Sequence, residues 1–313
     1  MNTLQTSADP ATDAAPVPAT PASARPPVLR TLIRREFWEH RALWMAPLAM
    51  AALLLVAAIF GRGFDSSFVT LPEQQRALFG VIMSYAAVAQ FVVLGIIVWM
   101  YASDCLYTER KDRSILFWKS MPVSDTLTVL SKVLVVTVIV PLGVYLVSAL
   151  TTLLMSGIYL VRAWQDHAGG GAFWDAGAWL RIQWVSLLTV VAGVLWYAPV
   201  TAFLLLASAW ARRSVQLWVF LTPAILIIME RMVLGSHHLL NVLEYRLGNV
   251  FTHRALSFPG LGDTADQPMT LNLLVANVDP IPVLTNVDLW LGLVVAALLI
   301  VATIRIRQYR DDT

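Results

Sequence analysis

The residues able to do chemistry in this chain are arranged for ion pairing and docking, not for catalysis. A dense charged run, Glu109, Arg110, Lys111, Asp112 and Arg113, leads into Ser114, Ile115 and Leu116 and then into Phe117, Trp118 and Lys119. Pro122 stops this segment, and Ser124 or Asp125 is placed to cap a new helix after it. Phe117 and Trp118 are costly in water unless something covers them. The cover is either a soluble partner, for which they form a knob, or the membrane interface, where Trp is common. Polar groups inside apolar runs form a second set. Gln90, with Tyr85 and Ser84 nearer the other end of the same run, either lines a path or hydrogen-bonds a neighbouring helix. Glu230 and Arg231 point about 100° apart on a helix and cannot easily neutralise each other on one face. Glu230 is therefore either an outer gate or a partner of Arg246. His237, His238, His253 and Glu244 lack diagnostic ligand spacing, so no metal site is expected.

The elements that position these residues follow from composition. Of the 313 residues, 58% are hydrophobic and 13% charged, with a mean hydropathy of +0.68. Soluble domains carry about twice that charge, roughly 25%. The apolar residues come in blocks long enough to cross a hydrocarbon layer of about 30 Å. The pattern predicts an all-α integral membrane protein with spans at 44–60, 78–102, 133–161, 182–211, 215–235 and 289–304. Pro141, Pro199 and Pro223 supply kinks, each removing a backbone donor. Residues 1–27 are too poor in apolar groups to offset ordering entropy and read as a disordered tail, not a signal peptide.

Residues 28–43 place Arg30, Arg34 and Arg41 on one helical stripe beside Leu29, Ile33, Phe37 and Trp44 on the next. That is an amphipathic interface helix or an extension of the first span, with Glu36 and Glu39 intruding on its apolar side. Between the fifth and sixth spans, Leu239, Leu243, Leu247 and Phe251 recur every four residues, as in a partly buried helix. Residues 305–313 form a short tail. Cys105 is the single cysteine, so no intrachain disulfide is available.

Glu109-Arg110, Ser114-Ile115, the run Ser120-Met121-Pro122-Val123-Ser124 and Lys132 together resemble the signature of type-2 ABC exporter permeases. The resemblance extends in plan over residues 28–313. It implies an interface helix, six spans, a coupling helix near 112–119 after the second span, and re-entrant outer helices before the sixth. It further implies a dimer of permease chains, identical or related, seated on two copies of a separate ATPase. Glu109, Arg110, Arg113, Ser114, Ile115, Phe117, Trp118 and Lys119 would form the coupling element, with Glu109 and Arg110 pairing to Arg34 or Glu39 of the interface helix. Gln90, Tyr85 and Glu230 would be candidates for the translocation path.

No Gly-x-x-x-x-Gly-Lys-[Ser/Thr] occurs, and the Gly169-Gly170-Gly171 run has no following Lys. The chain is therefore expected to bind no cofactor itself, with ATP and Mg on the partner ATPase. The lipid bilayer is the other expected partner, and nothing points to nucleic acid. An ion-coupled secondary transporter should show charges at the midplane, which is nearly charge-free here. A membrane enzyme should show paired catalytic groups at matching depth; no Gly-x-Ser-x-Gly, no His in the first four spans and no matched Asp pair is found.

The Lys and Arg asymmetry places both termini in the cytoplasm, and the resemblance implies a bacterial inner membrane. Arg25, Arg30, Arg34, Arg35 and Arg41, then Arg110, Lys111, Arg113, Lys119 and Lys132, then Arg212, Arg213, Arg305, Arg307 and Arg310 all fall on one side. Single cysteines introduced at positions 65, 170 and 265 of a Cys105→Ser background should react with an impermeant thiol reagent in intact cells. Reaction at 111 or 212 instead would reverse the topology.

Overall fold

A run of apolar residues ends for a sequence reader at the first charge, but the helix itself ends only where its backbone groups find other partners. The computed structural model describes residues 28–61, 72–112, 124–165, 176–248 and 284–309, and among them no strand occurs. The elements are α1 (Val28–Glu39), α2 (Ala42–Phe60), α3 (Pro72–Lys111), α4 (Asp125–Leu134), a π-helical turn (Val135–Ile139), α5 (Val140–Gln165), α6 (Ala176–Trp210), α7 (Val215–Leu234), α8 (His238–Gly248) and α9 (Val287–Tyr309). Six stretches are long and apolar enough to cross a membrane: Ala42–Phe60, Leu78–Lys111, Asp125–Arg162, Ala176–Trp210, Val215–Leu234 and Val287–Tyr309. The chain is a polytopic helical membrane protein.

Each expected span is present, and several run further than expected. The second continues from Ala102 to Lys111, the third begins at Asp125 rather than Val133, and the sixth continues past Ile304 to Tyr309. These extensions carry Glu109, Lys132 and Arg307. The helix expected over residues 28–43, α1, stops at Glu39, short of Leu43, because a turn at His40–Arg41 starts α2 at Ala42. Ser124, rather than Asp125, caps α4, its hydroxyl accepting from the Leu127 N–H at 3.2 Å.

Pro141 behaves differently from the other two prolines. Ahead of Pro141 the helix widens into the π turn, a common response to a missing amide donor. α6 and α7 run helical through Pro199 and Pro223.

α3 is the hub, packing against α2, α5, α6 and α7, while α9 lies along α6. One apolar core joins Tyr101, Cys105 and Leu106 of α3 to Val135, Val136 and Val144 and to Leu204 and Leu205. Further along, Ala58, Phe79, Met83, Ala86, Met155 and Ile182 form a second. A small third unites Ala192, Trp196 and Leu289. By contrast α7 is peripheral and exposes Leu217, Phe220, Leu226 and Met229.

Arg162 ties α5 to the end of α2, donating to the Ala58 and Gly61 carbonyls at 2.8 and 2.9 Å. Gly235, in the left-handed region at φ 64°, closes α7, and α8 returns beside α6. The helix predicted there does form, over His238–Gly248, but not through its leucine stripe. Leu239 and Leu247 are exposed, and Phe251 lies outside the described residues. Tyr245 and Arg246 make the contact instead. The Trp196 indole donates to the Arg246 carbonyl at 2.9 Å, and the Arg246 guanidinium stacks over the Trp196 ring at 4.5 Å. The same guanidinium reaches the Asp288 carbonyl and lies over Gly292, where a Cβ would push it aside.

Candidate functional site: a buried charged node

The longer helices bring their charged ends into one buried cluster. Lys132, fully enclosed at 0% exposure, donates to Glu36 Oε1 at 2.8 Å and lies 3.1 Å from Glu109 Oε1. Arg307 donates to Glu109 Oε2 at 2.7 Å and to Asp125 Oδ1 at 3.0 Å. Arg35 lies 3.5 Å from Glu109 Oε1 and also pairs with Glu39. The Tyr101 hydroxyl donates to Glu36 Oε2 at 2.8 Å. Four helices, α1, α3, α4 and α9, thus meet through alternating charges.

His40 borders the node, its ring edge-on to Tyr101 with centroids 5.0 Å apart. Burial lowers its pKa below the usual histidine value, against the pull of nearby Glu36, so the ring is neutral at pH 7. Glu36, Glu39 and His40 present ligand atoms close enough together to hold a cation. Both carboxylates, however, already face cations of the protein, Lys132 and Arg35. A metal would have to displace them.

Breaking a buried ion pair by removing one partner costs more than the pair contributes, roughly 3–5 kcal/mol, because the other charge is stranded. In this cluster each cation serves two acids, and Lys132 is the lysine or arginine that Glu36 meets among the described residues, so removing Lys132 strands Glu36. The arrangement can therefore carry force between helices. Among the described residues of the cluster no nucleophile stands against a base, and each acid lies against at least one cation.

The sequence-predicted residues distribute as follows. Glu109 lies at the centre of the node. Arg110 reaches the α6 end instead, donating to the Ser208 and Ala211 carbonyls at 2.6 and 2.8 Å. Arg113, Ser114, Ile115, Phe117, Trp118 and Lys119 lie outside the described residues. On α1 the pairing expected of Arg34 and Glu39 falls instead to Arg35, one position on, and to Glu36, three positions back. Arg35 and Glu36 face the node, while Arg34 stacks over Trp38 at 5.7 Å and Glu39 pairs with Arg35. A helix wheel with charge on both flanks does not fix rotation to better than one residue, about 100°.

Tyr85 is exposed, Gln90 is fully buried, and Glu230 caps α8; the large cavity between α3 and α6 is lined by none of the three. Neither amide atom of Gln90 has a hydrogen-bond partner among the described residues. Glu230 accepts from the Ser236 hydroxyl at 2.6 Å and from the His238 and Leu239 N–H groups at 2.7 and 2.8 Å. It satisfies the first turn of α8 rather than pairing with Arg246, which is engaged with Trp196 and Asp288.

Sequence reasoning passed over Glu36, Arg35, Asp125 and Arg307 as parts of a site. Two signals were present. Glu36 breaks an apolar stripe, and Arg307 follows an apolar span that then continues as helix. No family model, curated protein or solved structure matches the chain.

Replacing Lys132 with Met should destabilise the protein by about 3–5 kcal/mol, since Glu36 and Glu109 lose their common cation. Combining it with Glu109→Gln and Glu36→Gln should recover most of that loss. Thermal unfolding in detergent of the single, double and triple variants measures the coupling. Strictly additive losses would mean that the three side chains do not act as one cluster.

Proposed function

We propose that this chain is the transmembrane permease subunit of an ATP-driven exporter of the type-2 ABC kind. It would work as a pair of identical permease chains with two copies of a separate ATPase that carries the ATP and Mg. The substrate would be hydrophobic or amphipathic, a lipid, peptide or toxic compound, leaving through a bacterial inner membrane with both termini of the chain cytoplasmic. ATP hydrolysis belongs to the partner, and this chain supplies the path and the transmission.

One observation carries the reading. The loop 113–123 is flanked by Glu109 at the end of α3 and Asp125 at the start of α4, and both bind Arg307 of α9. Lys132 joins the same Glu109 to Glu36 of α1. A force applied to the loop therefore reaches α1, α3, α4 and α9 together, as a coupling element between an ATPase and a helical bundle requires. α7, exposed along much of its length, is the element free to meet a second chain.

The test has two arms, both on the full chain co-purified from its native membrane. Truncating Phe117 and Trp118 to Ala should weaken retention of the ATPase about tenfold or more. Burying an aromatic is worth roughly 1.5–3 kcal/mol, and 1.4 kcal/mol is tenfold. Replacing Glu109 with Gln should leave the ATPase bound yet lower substrate transport per ATP hydrolysed in proteoliposomes. Transport by this chain alone, driven by a proton or sodium gradient, would end the exporter reading.

A further inference from the structure

A cavity of about 370 Å³ opens between α3, the π turn with Pro141, α6 and Leu247 of α8. That volume is within the range of ligand pockets, about 300–1,000 Å³. Along α3 it extends from Val88 to Trp99, about 17 Å of helix, and Gly95 lies about 21 Å along the axis from Glu109. The cavity is thus at hydrocarbon depth, away from the charged node.

Its polar side chains are all spent within the chain. Thr137, Thr189 and Thr201 donate their hydroxyls to carbonyls one turn back on their own helices, at 2.7, 2.9 and 3.1 Å. The Tyr197 hydroxyl donates to the Leu247 carbonyl at 3.3 Å, and the Trp99 indole to Gln216 at 3.2 Å. The threonines therefore turn methyl groups toward a space with no side-chain donor to offer. An apolar space of this kind stays dry and takes apolar guests.

Two glycines make the room. Gly95 of α3 and Gly193 of α6 both line the cavity, and a Cβ built on either meets nothing within 4 Å. Glycine inside a helix costs about 1 kcal/mol relative to Ala. That cost is commonly recovered by close helix–helix approach. Neither glycine makes such an approach, so what their small size provides is empty volume.

We propose that this cavity binds one acyl chain of a bilayer lipid, entering sideways past exposed Val92 and Gly95. The site belongs to a single chain and does not depend on a partner ATPase. To test it, the full chain in nanodiscs of phosphatidylethanolamine and phosphatidylglycerol is irradiated with a trace of phosphatidylcholine bearing a mid-chain diazirine, and labelled peptides are mapped by mass spectrometry. Residues 88–99 and 189–204 should carry about tenfold more label per residue than the exposed face of α9 at 290–301, the enrichment given by 1.4 kcal/mol of preference. Gly95→Leu with Gly193→Leu should bring cavity labelling down to the α9 level while leaving α9 labelling unchanged. Gly193→Ala, a smaller filling, should lower it in part and keeps the test open if the double variant does not fold. Cavity labelling equal to that of α9 in the unaltered protein, as when a side chain of a second copy fills the space, would overturn the proposal. So would undiminished labelling of the folded filled variants.

Discussion

The whole of one end of this bundle depends on a lysine held between two carboxylates out of reach of water. Lys132 bonds Glu36 and lies against Glu109, and Glu109 in turn holds Arg307. An unpaired charge there would be too costly to tolerate, so the helices carrying these groups are obliged to keep their register. Apolar packing between membrane helices is non-directional and weak in lipid, where tails are as apolar as leucine. The ionic node supplies the direction. It specifies which residue of α1 faces the bundle, where α4 begins, and how far α9 must continue beyond its apolar stretch.

Two ends of the molecule are built on different principles. At the Glu109 end, opposite charges from four helices interlock. At the Glu230 end, the ties are backbone caps: Glu230 on the first turn of α8, Arg162 on the last carbonyls of α2, and Arg246 on Trp196 and Asp288. Between them lie apolar contacts, a dry cavity and a π turn ahead of Pro141. A rigid node joined to a middle that contains free volume can convert a push at one end into helix movement further along.

The spans were legible because a stretch of about 20 apolar residues has few alternatives to crossing a membrane. Their ends were less so. Lys132 and Arg307 terminate apolar runs when read locally, yet both are inside helices because partners far along the chain neutralise them. Glu36 looked like a flaw in an amphipathic wheel for the same reason, its partners lying on α3 and α4. Arg35 and Arg34 differ by one position, about 100° on the helix wheel, which only packing resolves. Glu230 was legible as a polar group needing an answer. That the answer is the start of α8, rather than Arg246, depends on a chain reversal at Gly235 that composition does not encode.

The central claim is that the charged node passes motion from the loop 113–123 to the far side of the bundle. Spin labels at position 85 on the exposed face of α3 and position 290 near the start of α9 report the separation of two helices tied to that node. Their distance distribution, recorded by pulsed electron resonance with the proposed ATPase partner bound, should shift between nucleotide-free and ATP-trapped states. The shift should vanish in an Arg307→Gln variant that still binds the ATPase. A shift of equal size in that variant would contradict the claim, and place the transmission elsewhere in the fold.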